Sequence, residues 1–459
     1  MTENDTALTG SARWWVLGTI GVGTFMSALD GSVVNTLLPI LSHALNTSVA
    51  GIEWVTTVYL LVISALLLSV GRAGDLFGHK RIYLSGFVLF VIGSALCGTA
   101  RSSAMLISFR VIQALGAAML MGTGPAILTG SFPANERGKA LGALGTFTYL
   151  GLTAGPSLGG WLATAFSWRA VFYINVPIGI VAILLGLRTV PEDRVARETE
   201  SFDFVGASLF TLGLTALLVA LNQGHAWGWG SAAILGLIAA SVVLLGAFIR
   251  FERRRKSPML DLSLFGNRVF SASSVSALLN YACVYALLFV LPFLLIQGRG
   301  LDAQHAGLVL TAQPVVMAVV APFSGSISDR IGTRWPAIIG MLTLVIGLLL
   351  VAFFVGHGSL WSIAAGLAVV GFGIGTFVSP NNSALMGSAP RNRQGIASGV
   401  LATSRNVGMV LGVGIAGAVF TTVVRHAVSP PAAIVDGVRA SLLVSAGLAL
   451  LGAGTSALR

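Results

Sequence analysis

Charged side chains are what this sequence has least of. Asp, Glu, Lys and Arg make up 9% of its 459 residues, against about 25% in an ordinary soluble domain. A soluble chain of this size could not cover its surface with so few charges. The 55% apolar content and the mean hydropathy of +0.88 agree. A soluble enzyme, a disordered chain and a nucleic-acid-binding domain are thereby excluded. Lysine occurs only three times, never in the G-x4-G-K-[ST] loop that an ATP-driven machine needs. Gly371, Gly373 and Gly375 sit inside an apolar run and do not read as a phosphate loop. The two cysteines, Cys97 and Cys283, also lie in long apolar runs, which argues against a disulfide scaffold. No cluster of metal-ligating residues appears, so neither metal nor cofactor is expected. For active transport, the gradient of an ion, most simply H⁺, remains as the driving force.

What the chain does have is long apolar runs. A membrane helix needs about 20 mostly apolar residues. Fourteen such runs can be marked: 14–38, 51–71, 82–100, 104–127, 139–163, 169–188, 203–222, 231–249, 269–296, 304–326, 335–356, 359–380, 398–424 and 437–457. Little is left over for a soluble domain. The first run is too long for a signal-peptide core, and its leader carries Glu3 and Asp5. The fold class expected is an all-α integral membrane protein with fourteen transmembrane helices. With both termini cytoplasmic, the inner segments hold 20 of the 27 Lys and Arg residues and the outer segments five. That bias fixes the expected orientation. It also accounts for the net charge of +11, and the basic stretch Arg250 to Lys256 reads as facing lipid headgroups rather than nucleic acid.

The chain repeats itself. Gly71, Asp75 and Gly78 follow the second run, and Gly325, Asp329 and Gly332 follow the tenth with the same spacing, 254 residues later. Gly138, Ala140, Gly142, Gly151 and Gly155 recur as Gly395, Ala397, Gly399, Gly408 and Gly412 at an offset of 257. Two six-helix halves therefore flank an inserted pair, with domains expected at 1–188, 189–268 and 269–459. Internal repetition of this kind marks secondary transporters, whose sites lie between the halves near the bilayer midplane. The competing explanation is that glycine-rich helices resemble one another.

Asp30, deep in the first run, is the sharpest chemical signal. A charge at the bilayer centre costs about 2.5–3.5 kcal/mol on insertion scales, and a carboxyl taken out of water there is a candidate to take up and release a proton. Arg110 in the fourth run is the charge available to pair with it, and a static ion pair that merely ties helices together is the alternative. Gln113 lies on the same helical face as Arg110. Asn35, Gln113, Asn280, Tyr281, Gln313, Asn381 and Arg405 are candidates to line a substrate cavity, although each alone is as readily an interhelical hydrogen bond. Glu53, beside Trp54 at the start of the second run, reads as reaching the membrane interface. Gly71, Arg72, Asp75, Gly78, Lys80 and Arg81 read as a tight gating loop, or simply as inward-retained positive charge. Gly151, Gly155 and Gly159 share one face of the fifth run, next to Pro156 and Gly160. Small residues there let another helix approach closely, and Pro156 favours a bend.

These residues resemble the major facilitator superfamily, specifically its 14-span drug:proton antiporter branch, over about 14–457. Gly71 to Arg81 resembles the superfamily's loop motif, Arg110 and Gln113 its span-4 motif. Gly151, Gly155, Pro156, Gly159 and Gly160 match the antiporter motif G-x3-G-P-x2-G-G. Leu29-Asp30, Val33-Val34-Asn35 and Leu38-Pro39 resemble the branch's first-span signature. Trp168-Arg169, Phe172, Ile174-Asn175 and Pro177-Ile178-Gly179 resemble its sixth. Ala73, Leu76, His79 and Ala114 depart from these patterns, and no acid lies in runs 9–14, which counts against divalent cations as substrates. The resemblance implies alternating access, Asp30 as proton site, Arg110 as its modulator and export from the cytoplasm.

The expectation is a proton-coupled exporter of amphipathic small molecules (drugs, antibiotics, lipophilic cations), not an enzyme. It would reside in the cell membrane and work as a monomer, with the substrate, protons and the bilayer as its partners. An importer or symporter of a polar metabolite on the same fold is the alternative. A transport-dead sensor is a third reading, unsupported by any appended signalling domain.

Overall fold

The structure, a computed structural model, describes residues 11–133, 136–192, 203–228, 230–253, 262–390, 394–426 and 430–459. Its helices are α1 Ala12–Ala44, α2 Val49–Phe77, α3 His79–Thr99, α4 Ser103–Ser131, α5 Arg137–Ala165, α6 Ala170–Tyr173, α7 Asn175–Thr189, α8 Phe204–Trp227, α9 Ala232–Glu252, α10 Arg268–Pro292, α11 Ala303–Ile331, α12 Arg334–His357, α13 Leu360–Gly387, α14 Gln394–His426 and α15 Pro430–Ala457. No strand occurs among the described residues. Thirteen helical segments among them are long and apolar enough to cross a membrane. The fifth expected span, outside that set, forms the 29-residue helix α5. The sixth is built from α6 and α7, which meet at Ile174. Helices satisfy their own backbone groups, as apolar surroundings require. Their first turns are finished by side chains: Ser48, Ser102, Asp203, Ser231, Asn267, Asp302 and Ser359 each accept a backbone N–H. At Asp302, outside the spans, these bonds from His305 hold the carboxyl below its usual range.

The residues expected to form a gating loop are mostly helical. Gly71 to Phe77 are the last two turns of α2, and α3 starts at His79, so the chain reverses at one residue. Gly78 does this with φ +98°, a conformation that side-chain-bearing residues avoid. Gly332 ends α11 in the same way, with φ +85°. The side chains of Asp75 and Asp329 lie outside the described residues, as do most of the basic residues from Arg250 to Lys256. Lys80 donates to the Leu187 carbonyl at 3.3 Å, tying this corner to the end of α7, and Arg81 is exposed.

The repeat is visible as repeated packing. In the first half α1 packs on α5, α2 and α3 pack on α4, and α7 lies on α3. In the second, α10 packs on α14, α11 and α12 pack on α13, and α15 lies on α12. Glycines make these contacts close. A Cβ at Gly86 would stand 2.8 Å from Met119, and one at Gly340, 254 residues on, 2.7 Å from the Phe377 nitrogen. Gly151 faces the Phe25 carbonyl of α1, and its counterpart Gly408 faces the Leu278 carbonyl of α10. Gly371, Gly373 and Gly375 pack against Gln313, Leu344 and Met317; they serve helix packing. The inserted helices α8 and α9 pack on each other, and α8 leans on α2 and α14. Trp361, Phe353 and Val243 are exposed on an outer surface that would otherwise be a liability in water.

The halves meet along a seam between α5 and α11. Gly160 packs on the Ala303 carbonyl, Gly307 on the Pro156 carbonyl, and the Ser157 and Thr311 hydroxyls are hydrogen-bonded at 2.6 Å. The antiporter-type motif thus has two faces. Gly151, Gly155 and Gly159 lie against Phe25, Ser32 and Val33 of α1, while Pro156 and Gly160 lie against the other half. Helix α5 runs through Pro156 without a break. Gly160→Ala should therefore lower stability by about 1–3 kcal/mol through overpacking. Gly236→Ala, where nothing lies within 4 Å, should leave it unchanged or slightly raised. Thermal unfolding of both variants in detergent checks this, and equal midpoints would contradict the tight seam.

Candidate functional site

Asp30 lies within α1 and is 2% exposed. Gly155 and Gly159 allow α5 to close against this stretch of α1, at Ser32 and Val33. Arg110 of α4 is wholly buried, and its Nη1 donates to Asp30 Oδ2. Gln113, one turn further along α4, accepts from the same Nη1 at 2.7 Å and donates to Asp30 Oδ1 at 2.8 Å. Gln113 also donates to Ser94 of α3 at 2.7 Å. Asn175, at the start of α7, donates to Asp30 Oδ1 at 3.2 Å. Arg110 Nε donates to the Val55 carbonyl of α2 at 3.1 Å. The carboxylate therefore accepts from Arg110, Gln113 and Asn175, and the arginine is tied to a fourth helix. Charge-assisted bonds of this kind are the strong ones in a low dielectric. In this state Asp30 and Arg110 neutralise each other.

A cavity of about 280 Å³ lies between the halves. The starts of α1 and α5 lie at one end of the bundle, where Arg13 pairs with Glu136 at 3.1 Å, and with an even number of spans the end of α15 returns to that side. Thr24, Pro125, Leu144, Asn382 and Arg405 line the cavity, and each falls on the terminus side of its helix's midpoint. The α5–α11 seam at Gly160 and Gly307 lies on the opposite side. Tyr59, Pro156, Leu288 and Gln313 line it from the other side of their helices' midpoints, so the cavity is central.

Asp30 does not line this cavity, but Tyr59 does. The Tyr59 ring stacks on the Arg110 guanidinium, 4.0 Å from its centroid, and so separates the ion pair from the cavity. Of the residues expected on a cavity wall, Tyr281, Gln313 and Arg405 are there. The other four turn elsewhere. Asn35 accepts from Thr56 at 2.9 Å, and Gln113 belongs to the Asp30 cluster. Asn280 faces Met341 of α12, and Asn381 accepts from Arg459. In a helix packed on all sides, any face can hold an asparagine, and helical position alone does not say which neighbour it meets.

Glu53 corrects the sequence reading outright. It is fully buried, not at an interface. Its Oε1 accepts from Asn222 of the inserted helix α8 at 2.8 Å, and its Oε2 has no hydrogen-bond partner. Gly417 of α14 packs directly on the carboxyl. Adjacency to Trp54 suggested an interfacial residue, whereas the partner lies 169 positions away. Tyr59, Ser94 and Asn222 were also missed: each is an ordinary residue of an apolar run until its neighbour is known.

Residues 20–266 and 273–458 match the sequence profile of the Major Facilitator Superfamily. The chain is 37% identical over 402 residues to the riboflavin transporter RibZ of Clostridioides difficile, covering 87% of this chain and 86% of that one. It is 32% identical over 411 residues to the multidrug resistance protein Stp of Mycobacterium tuberculosis, covering 89% and 76%. The crystal structure of a bacterial homologue of the human lysosomal transporter Spinster superposes with a TM-score of 0.70, covering 98% of this chain and 97% of that one, at 17% identity, and so shares the fold. A chain of membrane-length helices, folded as two repeated halves around a central cavity and matched along nearly its whole length, belongs to the major facilitator superfamily of membrane transporters.

Proposed function

We propose that this transporter exports amphipathic small molecules from the cytoplasm in exchange for protons. The observation that carries the reading is the separation of Asp30–Arg110 from the cavity by one aromatic ring. Asp30 can pair with Arg110 or carry a proton, and each state sets a different charge behind Tyr59. Tyr59 lines the cavity, so a substrate held there meets this residue and can bias that choice. This is the differential interaction that coupling requires. The similarity to a multidrug resistance protein supports export, and the seam beyond the cavity is where alternating access would open. A working monomer is part of the same reading.

The Lys and Arg bias supports cytoplasmic chain termini and residence in the plasma or inner membrane as part of this reading. The second reading, an importer or symporter of a polar metabolite, is favoured by the similarity to a riboflavin transporter. Everted vesicles separate the two: an exporter accumulates its substrate when the lumen is acidified.

Asp30→Asn should abolish substrate-induced proton release in such vesicles, and any remaining flux should follow the substrate gradient alone. Because it leaves Arg110 buried beside a neutral amide, the variant should also be destabilised, and adding Arg110→Gln should recover stability without recovering coupling. Proton release at the normal rate from Asp30→Asn would remove Asp30 from the mechanism.

Tyr59→Ala should uncouple differently, by joining the cavity to the ion pair. Substrate should still bind, while protons leak without it. A leak equal to that of the wild type, measured as acidification decay in empty proteoliposomes, would speak against the ring as a partition.

Orientation is checked by labelling. Cys97 and Cys283 are both buried, so the native chain is a silent background. His43→Cys and His357→Cys should react with an impermeant maleimide on whole cells, and Arg81→Cys should not. The opposite pattern would reverse the proposed direction.

A further inference from the structure

The cavity carries one sign of charge. Arg405 of α14 is the only Lys, Arg, Asp or Glu among the described residues lining it. Its Nε is buried without a hydrogen-bond partner. The acids of the bundle are engaged elsewhere. Asp30 is bound by Arg110, Gln113 and Asn175, and Glu53 by Asn222; neither lines the cavity.

A charged side chain inside a membrane domain is costly and normally has a partner. Arg405 has no acid partner among the described residues, and it lines the cavity between the halves. Its surroundings complete a recognisable chemistry. Tyr281 and Tyr285, one helical turn apart on α10, present two hydroxyls to the cavity, and the Gln313, Asn382 and Asn406 amides lie on its wall. A guanidinium offers a planar fork of donors that suits an oxyanion better than any other group. Phenol hydroxyls and amide N–H groups add further donors. Met121, Met317 and Met409 supply soft, adaptable apolar surface. The volume of about 280 Å³ stands at the lower limit for sites that bury a drug-sized ligand.

We infer that the cavity selects substrates bearing an oxyanion, a carboxylate, sulfonate or phenolate, on a compact aromatic frame, and that Arg405 is the residue that binds it. The inference rests on the exporter reading only for the route by which such a molecule leaves. It runs against lipophilic cations, which would meet Arg405 with no acid to offset it.

The test compares three fluorescent probes on the purified full-length protein in detergent: carboxyfluorescein (anionic), riboflavin (neutral) and ethidium (cationic). Fluorescence anisotropy should give carboxyfluorescein a Kd at least ten-fold below that of ethidium. Arg405→Gln should weaken carboxyfluorescein binding ten-fold or more and leave riboflavin within two-fold. Arg405→Lys should recover part of the loss. Tyr281→Phe should weaken carboxyfluorescein about three-fold and provides a second readout should Arg405→Gln unfold. Tighter binding of ethidium than of carboxyfluorescein, an unaltered anion Kd in Arg405→Gln, or no binding of carboxyfluorescein by the wild type would each overturn the inference. Everted vesicles separate this from the exporter reading. Anion binding without proton-driven flux would leave the Arg405 site standing and remove antiport. Proton-driven flux of ethidium alone would do the reverse.

Discussion

A buried carboxylate and a buried guanidinium hold each other in place, and the first half of the bundle is arranged around them. Asp30 and Arg110 are both nearly or wholly shielded from solvent. Either charge alone would be intolerable there, since removing one partner of a buried pair is far more damaging than removing both. The neighbours follow from that need. Gln113 bridges the two charges, Asn175 takes a remaining lone pair, and the Val55 carbonyl takes the guanidinium's Nε. Five helices thereby converge on one charge pair: α1, α2, α4, α7 and, through Ser94, α3. Only three of these bonds end on Asp30, from Arg110, Gln113 and Asn175; the bonds from Arg110 to Val55 and from Gln113 to Ser94 hold the arginine's side of the pair independently. A cluster held by so many interlocking bonds is rigid, because packed interfaces switch between discrete arrangements and do not deform smoothly.

Glycine is the complementary device. Lipid tails are as apolar as leucine, so helices in a bilayer gain little from hiding hydrophobic surface, and close backbone approach has to hold them together. The chain uses this within each half, where Gly86 and Gly340 play matching roles, and between the halves, where Gly160 and Gly307 face carbonyls across the seam. Backbone approach is as close across the α5–α11 seam as it is within a half. Helix α5 takes part in both, with one glycine face for α1 and another for α11. That division of faces explains why so many small residues crowd into Gly151 to Gly160.

The sequence made some of this legible and hid the rest for physical reasons. Apolar runs of membrane length disclose the helices, because a span must be apolar along its length. Two charges in separate runs, Asp30 and Arg110, were open to pairing because neither is tolerable alone, and helical spacing added Gln113. The repeat was readable because glycines at a fixed offset do the same packing work in both halves. What stayed hidden depends on which neighbour a face meets. Asn280 and Asn381 looked like cavity residues, yet each is spent on an adjacent helix. Tyr59 resembles any aromatic residue of an apolar run until Arg110 lies over its ring. Gly71 to Phe77 looked like a turn because glycine permits one, but the helix continues until the one glycine that needs positive φ.

Glu53 bears on how the inserted helix α8 is held. Its carboxyl is covered by Asn222 of the inserted helix α8 and by Gly417 of α14. Without α8, Glu53 Oε1 would lose its donor and Thr57 the Asn222 amide at 3.4 Å, with Gly417 of α14 still packed on the carboxyl. The insert and the acid therefore depend on each other: removing α8 strands a buried carboxyl without its donor, and removing the acid leaves the Asn222 amide short of its acceptor. With the Thr211 hydroxyl on the Ala65 carbonyl, the Asn222 amide makes α8 part of the wall of α2, not an appendage to it.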